Sequence, residues 1–210
     1  MNPRVFWGAS LIIGLLLVLA VAAPGQSDRV FQTLQAWVID TFGWFYIALG
    51  TAILVFVLYL GLSRYGTLRL GPAHSRPEFS TFAWASMLFA AGIGIGIIFF
   101  GPYEPLTYYL APRPGAYEAA SEEAVTGALA QAALHWGVNA WAIYAIVGLS
   151  VGYVSYRRGR VPLMSSIIAP LFGDSPRSDS VGARLIDGLA IIATLFGTAA
   201  SLGIGALQIG

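Results

Sequence analysis

The stretch FAAGIGIGIIFFG, Phe89 to Gly101, decides how this chain must fold. It is uncharged and apolar enough to lie in lipid, yet Gly92, Gly94 and Gly96 interrupt it. Glycine costs about 1 kcal/mol relative to alanine in a helix interior. An open strand cannot replace the helix, because each unpaired backbone group facing lipid costs several kcal/mol. The glycines must therefore serve the packing of a helix or its interruption.

Both interpretations stay open on these residues alone. Ala91, Gly92 and Gly96 form a small-residue face on which another helix can pack. Clustered glycines also let a membrane helix unwind and offer its carbonyls and amides to an ion or substrate. A dinucleotide-binding loop is excluded, since GIGIGI lacks the G-x-G-x-x-G spacing and its strand–helix context. Glu104, followed by a proline, is interpreted as an interfacial charge.

The composition is that of a membrane protein. Of the residues 57% are hydrophobic and 10% charged, whereas soluble domains carry about 25% charged residues. Cysteine is absent, which excludes disulfides and thiolate chemistry. Crossing a bilayer takes roughly 20 apolar residues, and five runs suffice: Val5–Ala23, Thr41–Ser63, Phe79–Tyr103, Ala124–Tyr156 and Gly188–Gly210. We predict an all-α integral membrane protein with five transmembrane helices, and an interfacial or loop segment at Val161–Gly173.

The two ends of the chain carry further expectations. The first run has a positive start and an A-x-A at Ala20–Ala22, as signal peptides do. Its apolar stretch is long for a signal peptide and four more runs follow, which favours a membrane helix. The last run stops in mid-helix at SLGIGALQIG. We expect an amino-terminal fragment of a longer protein.

The arginines predict the topology. With a cytoplasmic amino terminus, only Arg29 and Arg113 of the 11 arginines fall outside. The other nine fall inside: Arg4, Arg64, Arg69, Arg76, Arg157, Arg158, Arg160, Arg177 and Arg184. This split obeys the positive-inside rule. The arginines are explained as cytoplasmic anchors, so no nucleic-acid partner is expected.

The second informative stretch is HWGVNAWAIY, His135 to Tyr144. At 100° per residue, Trp136 and Trp141 lie about 140° apart with Tyr144 between them. Three aromatic rings on one sector can pack, or they can cage a quaternary ammonium group by cation–π attraction. His135 is a candidate functional group because it lies in or near the membrane. A structural hydrogen bond to a neighbouring helix explains it equally well.

The third stretch is ATLFGTAASLGIGALQIG, in which small residues recur every four positions. Thr194 and Thr198 lie on the neighbouring stripe, one turn apart. Two hydroxyl oxygens at this spacing can bind a hard cation. Threonine also bonds back to its own helix, so this signal is weak by itself.

The three stretches, with RRGRVPLMSS between the last two, resemble the betaine/choline/carnitine transporter (BCCT) family in order and spacing, from about Trp44 to Gly210. The resemblance implies a secondary transporter of trimethylammonium compounds in the cytoplasmic (inner) membrane, with a homotrimeric assembly. It also implies a twelve-helix LeuT-type fold of two inverted five-helix repeats. Residues 1–78 would then lie outside the repeat core, and 79–210 would hold the first three helices of the first repeat.

The resemblance also implies site residues, carried over position by position. Residues 90–96 would be unwound, with Gly92, Gly94 and Gly96 at the substrate. The aromatic box would comprise Trp136, Trp141 and Tyr144, with Phe99 beside the path. Backbone carbonyls of Ala90 and Ile93 would face one sodium ion, and Thr194 and Thr198 would bind a second. No cofactor is expected.

The expected function is sodium-coupled uptake of glycine betaine. Proton-driven choline carriers of the family tend to carry an acidic residue where this chain has Gly96, whereas Ile93 in place of methionine leaves the subfamily open. Proton-coupled choline or carnitine-type transport is the alternative within the family. A channel or scaffold, in which glycines and aromatics merely pack, is an alternative of another class. An enzyme is not expected, since Ser201 has only His135, one helix away, as a possible partner.

Overall fold

A computed structural model describes residues 3–172 and 180–209, and this part of the chain is helical without a strand. The α-helices are α1 (Pro3–Ala22), α2 (Pro24–Leu62), α3 (Thr81–Gly92), α4 (Ile95–Leu110), α5 (Glu122–Trp136), α6 (Val138–Gly152), α7 (Met164–Ile168) and α8 (Val181–Ile209). A π-helical turn, Tyr153–Arg157, extends α6. Gly173, Arg177 and Gly210, which the sequence analysis assigned, lie outside the described residues.

The predicted all-α membrane architecture is confirmed. Within the described residues, four helical stretches are long and apolar enough to cross a membrane: Pro3–Ala22, Pro24–Leu62, Glu122–Arg157 and Val181–Leu207. The bent pair α3 and α4 makes a fifth when the two helices are counted as one span. Large apolar side chains such as Leu62 and Phe82 lie on the surface, while the buried apolar residues are small, such as Ala124 and Ala128. This distribution suits helices that bond their own backbone and face lipid or other helices with their side chains.

Helix α2 extends well beyond the predicted span Thr41–Ser63. It begins at Pro24, whose fixed φ suits the first helical turn. Gln32 then donates an amide hydrogen bond to Asp28, one turn earlier, at 2.9 Å. At 1.5 Å per residue the helix is about 58 Å long, nearly twice the hydrocarbon thickness. The polar residues before Thr41 end the apolar run without ending the helix.

The chain forms two compact units. The first comprises Met1–Pro72 and Ala145–Leu195, and in it α1 packs on α2. The second comprises Ala73–Tyr144 and Phe196–Gly210, and in it α4 packs on α5. The pairing of α4 with α5 brings together the first two of the informative sequence stretches.

The described part of the segment predicted as interfacial or loop, residues 161–172, holds a short helix, α7, followed by a single 3-10 turn. Asp187 of α8 anchors the start of α7. Its carboxylate accepts hydrogen bonds from the backbone N–H of Ser165 at 2.9 Å and from the Ser165 hydroxyl at 2.8 Å. Both residues are buried, so the carboxylate supplies a cap that Leu163, the residue before α7, cannot provide.

Candidate functional site

The third span is broken at its glycines. Helix α3 starts where the Ser80 hydroxyl accepts the Ala83 N–H, at 3.2 Å, and it ends at Gly92. Ile93 (φ −86°, ψ 96°) and Gly94 (φ −117°, ψ 177°) have extended backbones, and α4 begins at once. The helical pieces Thr81–Gly92 and 97–110 meet at 57°. The discontinuous-helix interpretation is confirmed.

The unwound segment is shorter than the resemblance implied. It comprises Ile93 and Gly94, whereas Ala90 remains in the last turn of α3 and Gly96 lies in the first turn of α4. Two extended residues suffice, because they already redirect the chain and end both helical hydrogen-bond ladders. The expectation that residues 90–96 are all unwound is therefore wrong.

The break exposes backbone groups of both polarities. The last carbonyls of α3 and the first N–H groups of α4 have no partner within their helices. Gly94, which precedes α4, has no side chain to cap that helix. The positive end of the α4 dipole and the negative end of the α3 dipole thus meet at one place. Such a junction can hold an anionic group and a cation side by side.

The fourth span has a second break that the sequence analysis did not anticipate. Helix α5 ends at Trp136, Gly137 is extended (φ −84°, ψ −153°), and α6 begins at Val138. A Cβ atom at Gly137 would collide with the carbonyl oxygen of Ala133, so this conformation requires glycine. Trp136, Trp141 and Tyr144 would share one sector only on an uninterrupted helix. The break instead divides them between two groups of rings.

The inner group of rings, Trp141 and Tyr144, lies against the break in the third span. The Trp141 and Tyr144 ring centroids are 5.5 Å apart, and the Trp141 indole donates its N–H to the Trp136 carbonyl at 3.0 Å. A Cβ atom added to Gly92 would lie only 2.9 Å from Cη2 of Trp141. Gly92 therefore lets the indole approach the α3 backbone. Trp141 is still 43% exposed, which leaves part of its ring open to a ligand.

The outer group of rings lies on α4 and the end of α5 and comprises Phe99, Phe100, Tyr103 and Trp136. Trp136 stacks on Phe100 with centroids 5.7 Å apart, and Phe99 stacks on Tyr103 at 5.0 Å. A cavity of about 380 Å³ adjoins them and is lined by Phe100, Tyr103, Glu104, Thr107, Tyr108, His135 and Trp136. Phe99 and Trp136 are thus placed near each other, but through Phe100 and Tyr103 rather than by direct stacking.

Glu104 joins α4 to α5 through contacts that its interpretation as an interfacial charge did not include. One carboxylate oxygen contacts Nδ1 of His135, and the other accepts the indole N–H of Trp136. The structural hydrogen bond considered for His135 is confirmed. A signal was available in the sequence: an ionisable residue at the end of one span and a histidine in the next are candidate partners.

Thr194 follows the ordinary behaviour of threonine in a helix. Its hydroxyl donates to the Ala190 carbonyl at 2.8 Å, and Thr198 follows one turn later on α8. This bond directs the hydroxyl proton toward the helix, and the oxygen keeps lone pairs that can bind a cation. The sodium role of both threonines stays a prediction.

Comparison with known proteins gives consistent matches along the chain. A sequence model described as "BCCT, betaine/carnitine/choline family transporter" matches residues 4–210. The chain is similar to the betaine/ectoine transporter LcoP of Corynebacterium glutamicum, with 44% identity covering 100% of this chain and 33% of that protein. An uncharacterized transporter of Mycobacterium tuberculosis is 42% identical over 99% of this chain and 35% of its own length.

Two further relatives carry more specific names. The glycine betaine transporter OpuD of Bacillus subtilis is 38% identical, covering 98% of this chain and 40% of that protein. The osmo-dependent choline transporter BetT2 of Acinetobacter baylyi is 37% identical, covering 100% of this chain and 30% of that protein. The chain thus spans about a third of the length of its relatives. The family match covers residues 4–210, a range that includes nearly all of α1.

Proposed function

Because the chain belongs to the betaine/carnitine/choline transporter family, we propose that it forms the amino-terminal part of a secondary active transporter whose activity is sodium-coupled uptake of glycine betaine. The observation that carries this proposal is the Trp141 indole resting on Gly92, beside the break between α3 and α4. That arrangement places an exposed aromatic face next to backbone groups released from helical hydrogen bonding. The aromatic face suits the cationic end of a zwitterion, and the free backbone N–H groups suit its anionic end.

The two ends of glycine betaine differ in what they require. Its trimethylammonium group cannot donate an N–H hydrogen bond, so it is attracted to aromatic faces, with up to about 2 kcal/mol per desolvated contact. The open rings of Trp141 and Tyr144 suit this group. Its carboxylate suits N–H groups at a helix amino terminus, such as those that begin α4 after Gly94.

Oxygen ligands support sodium as the coupling ion. Ala90 and Ile93 lie at the carboxyl end of α3, where carbonyls lack helical partners. Thr194 and Thr198 add hydroxyl oxygens on α8, and hard cations prefer oxygen ligands. The uncharged Gly96 leaves this part of the break without an acidic side chain to carry a proton.

Choline transport remains the second candidate, because relatives named as choline transporters match the chain over 99–100% of its length. Choline has the same cationic head but no carboxylate, so it would use the rings without the α4 amino terminus. The relatives' names give no support to an enzyme or a scaffold. We further propose a homotrimer in the cytoplasmic membrane, with the amino terminus inside and residues 79–210 beginning the first inverted repeat.

Competition experiments test the proposal. The transporter containing these residues would be expressed in a bacterial strain without osmolyte uptake, and entry of radiolabelled glycine betaine would be measured at high osmolarity. We expect saturable uptake that unlabelled glycine betaine inhibits more strongly than choline, carnitine or ectoine. Stronger inhibition by choline would favour the second candidate, and absence of betaine uptake would refute the proposal.

Gly137→Ala is expected to raise the half-saturation concentration for betaine roughly tenfold, the effect of losing one ring contact. The added Cβ would collide with the Ala133 carbonyl, so α5 and α6 must rearrange and carry Trp136 and Trp141 with them. Gly148→Ala is the matched control, because the space around Gly148 within α6 is open. Equal half-saturation in both variants would show that the break does not set the ring positions.

A further inference from the structure

Both carboxylate oxygens of Glu104 contact side chains of α5. One contacts the His135 imidazole and the other accepts the Trp136 indole N–H, while only 12% of the Glu104 side chain is exposed. Such a carboxylate in a membrane segment is expensive and marks function by default. Hydrogen bonds to a charged acceptor are shorter and stronger than neutral ones. Glu104 therefore exerts a strong directional restraint on the two side chains that it contacts.

The far side of His135 is also fixed. Gln131, which is 7% exposed, lies with its amide nitrogen 2.7 Å from Nε2 of His135. With that amide donating to Nε2, the imidazole proton lies on Nδ1 and is donated to Glu104. The imidazole and the indole then hold the carboxylate between them from α5.

Trp136 needs such a restraint because the helix stops at it. Gly137 is extended, and α6 resumes only at Val138, so no following turn of regular helix packs around the Trp136 side chain. The indole is held by its stack on Phe100, with planes 28° apart, and by its bond to Glu104. Stacking alone permits sliding and rotation of the ring in its plane, whereas the N–H bond fixes them.

We propose that Glu104 is a positioning residue for substrate recognition: its carboxylate fixes the Trp136 indole, and thereby the ring face that Trp136 presents to the substrate. This inference rests on the proposed function and on the family resemblance, which places Trp136 in the aromatic box. Glu104 acts through Trp136 and does not itself touch the substrate. Its substitution should therefore alter affinity only while the indole N–H is present.

A double-mutant cycle tests this dependence, with glycine betaine uptake as a function of concentration and amounts normalised to membrane-inserted protein. Glu104→Gln keeps the shape of the side chain and loses its charge. We expect it to raise the half-saturation concentration at least about fivefold, with the maximal rate per transporter unchanged within about twofold. Glu104→Asp, which keeps the charge with a shorter reach, should give an intermediate value.

The discriminating arm combines Glu104→Gln with Trp136→Phe, which retains a ring but has no N–H. In that background Glu104→Gln should change half-saturation by less than about twofold, because the bond it weakens is already gone. In the Trp141→Phe background its full effect should persist, since Trp141 donates to a backbone carbonyl instead. Glu118→Gln, the same chemical change at an exposed carboxylate, should leave uptake unaltered.

Three results would overturn the inference. Half-saturation unchanged in Glu104→Gln, with only less protein inserted, would reduce Glu104 to a structural role. A full effect in the Trp136→Phe background would show that Glu104 does not act through the indole. Wild-type protein without betaine uptake would refute the proposed function and this inference together, whereas the first two results leave the proposed function intact.

Discussion

Trp141→Leu is expected to raise the half-saturation concentration for glycine betaine on the order of tenfold. Leucine keeps apolar bulk above Gly92 but removes the ring quadrupole that attracts a trimethylammonium group. The indole also contacts Tyr144, with centroids 5.5 Å apart, so its loss leaves the second ring without its neighbour. Phenylalanine at position 141 should retain part of the affinity, because it restores a smaller aromatic face.

The control for this substitution is Trp44→Leu. Trp44 is 71% exposed on α2, and its only described ring contact is with the adjacent Phe45. Leucine there should leave betaine half-saturation unchanged. A packing role for Trp141 makes the opposite prediction for position 141: less protein would be inserted, and the surviving transporter would show wild-type half-saturation. Unchanged half-saturation in both Trp136→Leu and Trp141→Leu would refute the aromatic box.

Thr194→Ala and Thr198→Ala are each expected to raise the sodium concentration needed for half-maximal uptake at least about tenfold, if one oxygen ligand contributes roughly 1.4 kcal/mol. Betaine half-saturation measured at saturating sodium should move much less, because the hydroxyls bind the ion and not the substrate. Each change removes a hydroxyl from α8 while keeping a good helix former.

Thr51→Ala provides a matched control for the threonines. The Thr51 hydroxyl donates to the Ile47 carbonyl at 2.9 Å, the same intrahelical bond that Thr194 makes to Ala190 at 2.8 Å. If loss of this bond alone disturbed transport, Thr51→Ala would show it without any change in sodium dependence. An unaltered sodium requirement in both α8 variants would indicate proton coupling or an uncoupled carrier.

The sequence limited the third span to two outcomes, close helix packing or interruption, because the causes of both are local. Glycines at positions 92, 94 and 96 weaken a helix wherever it lies, and lipid leaves the backbone few alternatives. Run length and apolarity located the five apolar spans. They did not predict the length of α2, because the residues between Pro24 and Thr41 are polar and still continue the helix.

The break at Gly137 and the Glu104 network were not predictable in the same way. A single glycine within a long apolar run is compatible with a continuous helix, and only the observed backbone reveals the crowding by Ala133. Glu104 meets His135 and Trp136 because α4 packs on α5, a pairing between residues about thirty positions apart. Motif spacing selected the aromatic residues of the candidate site, but it did not show that they divide into two groups.

The most direct measurement is betaine accumulation in proteoliposomes of the purified transporter that contains these residues. An inward sodium gradient, an inward proton gradient of equal size and no gradient would be compared at the same membrane potential. We predict that labelled glycine betaine accumulates above its external concentration only with the sodium gradient. Accumulation driven by protons alone, or mere equilibration under a sodium gradient, would contradict sodium-coupled betaine transport.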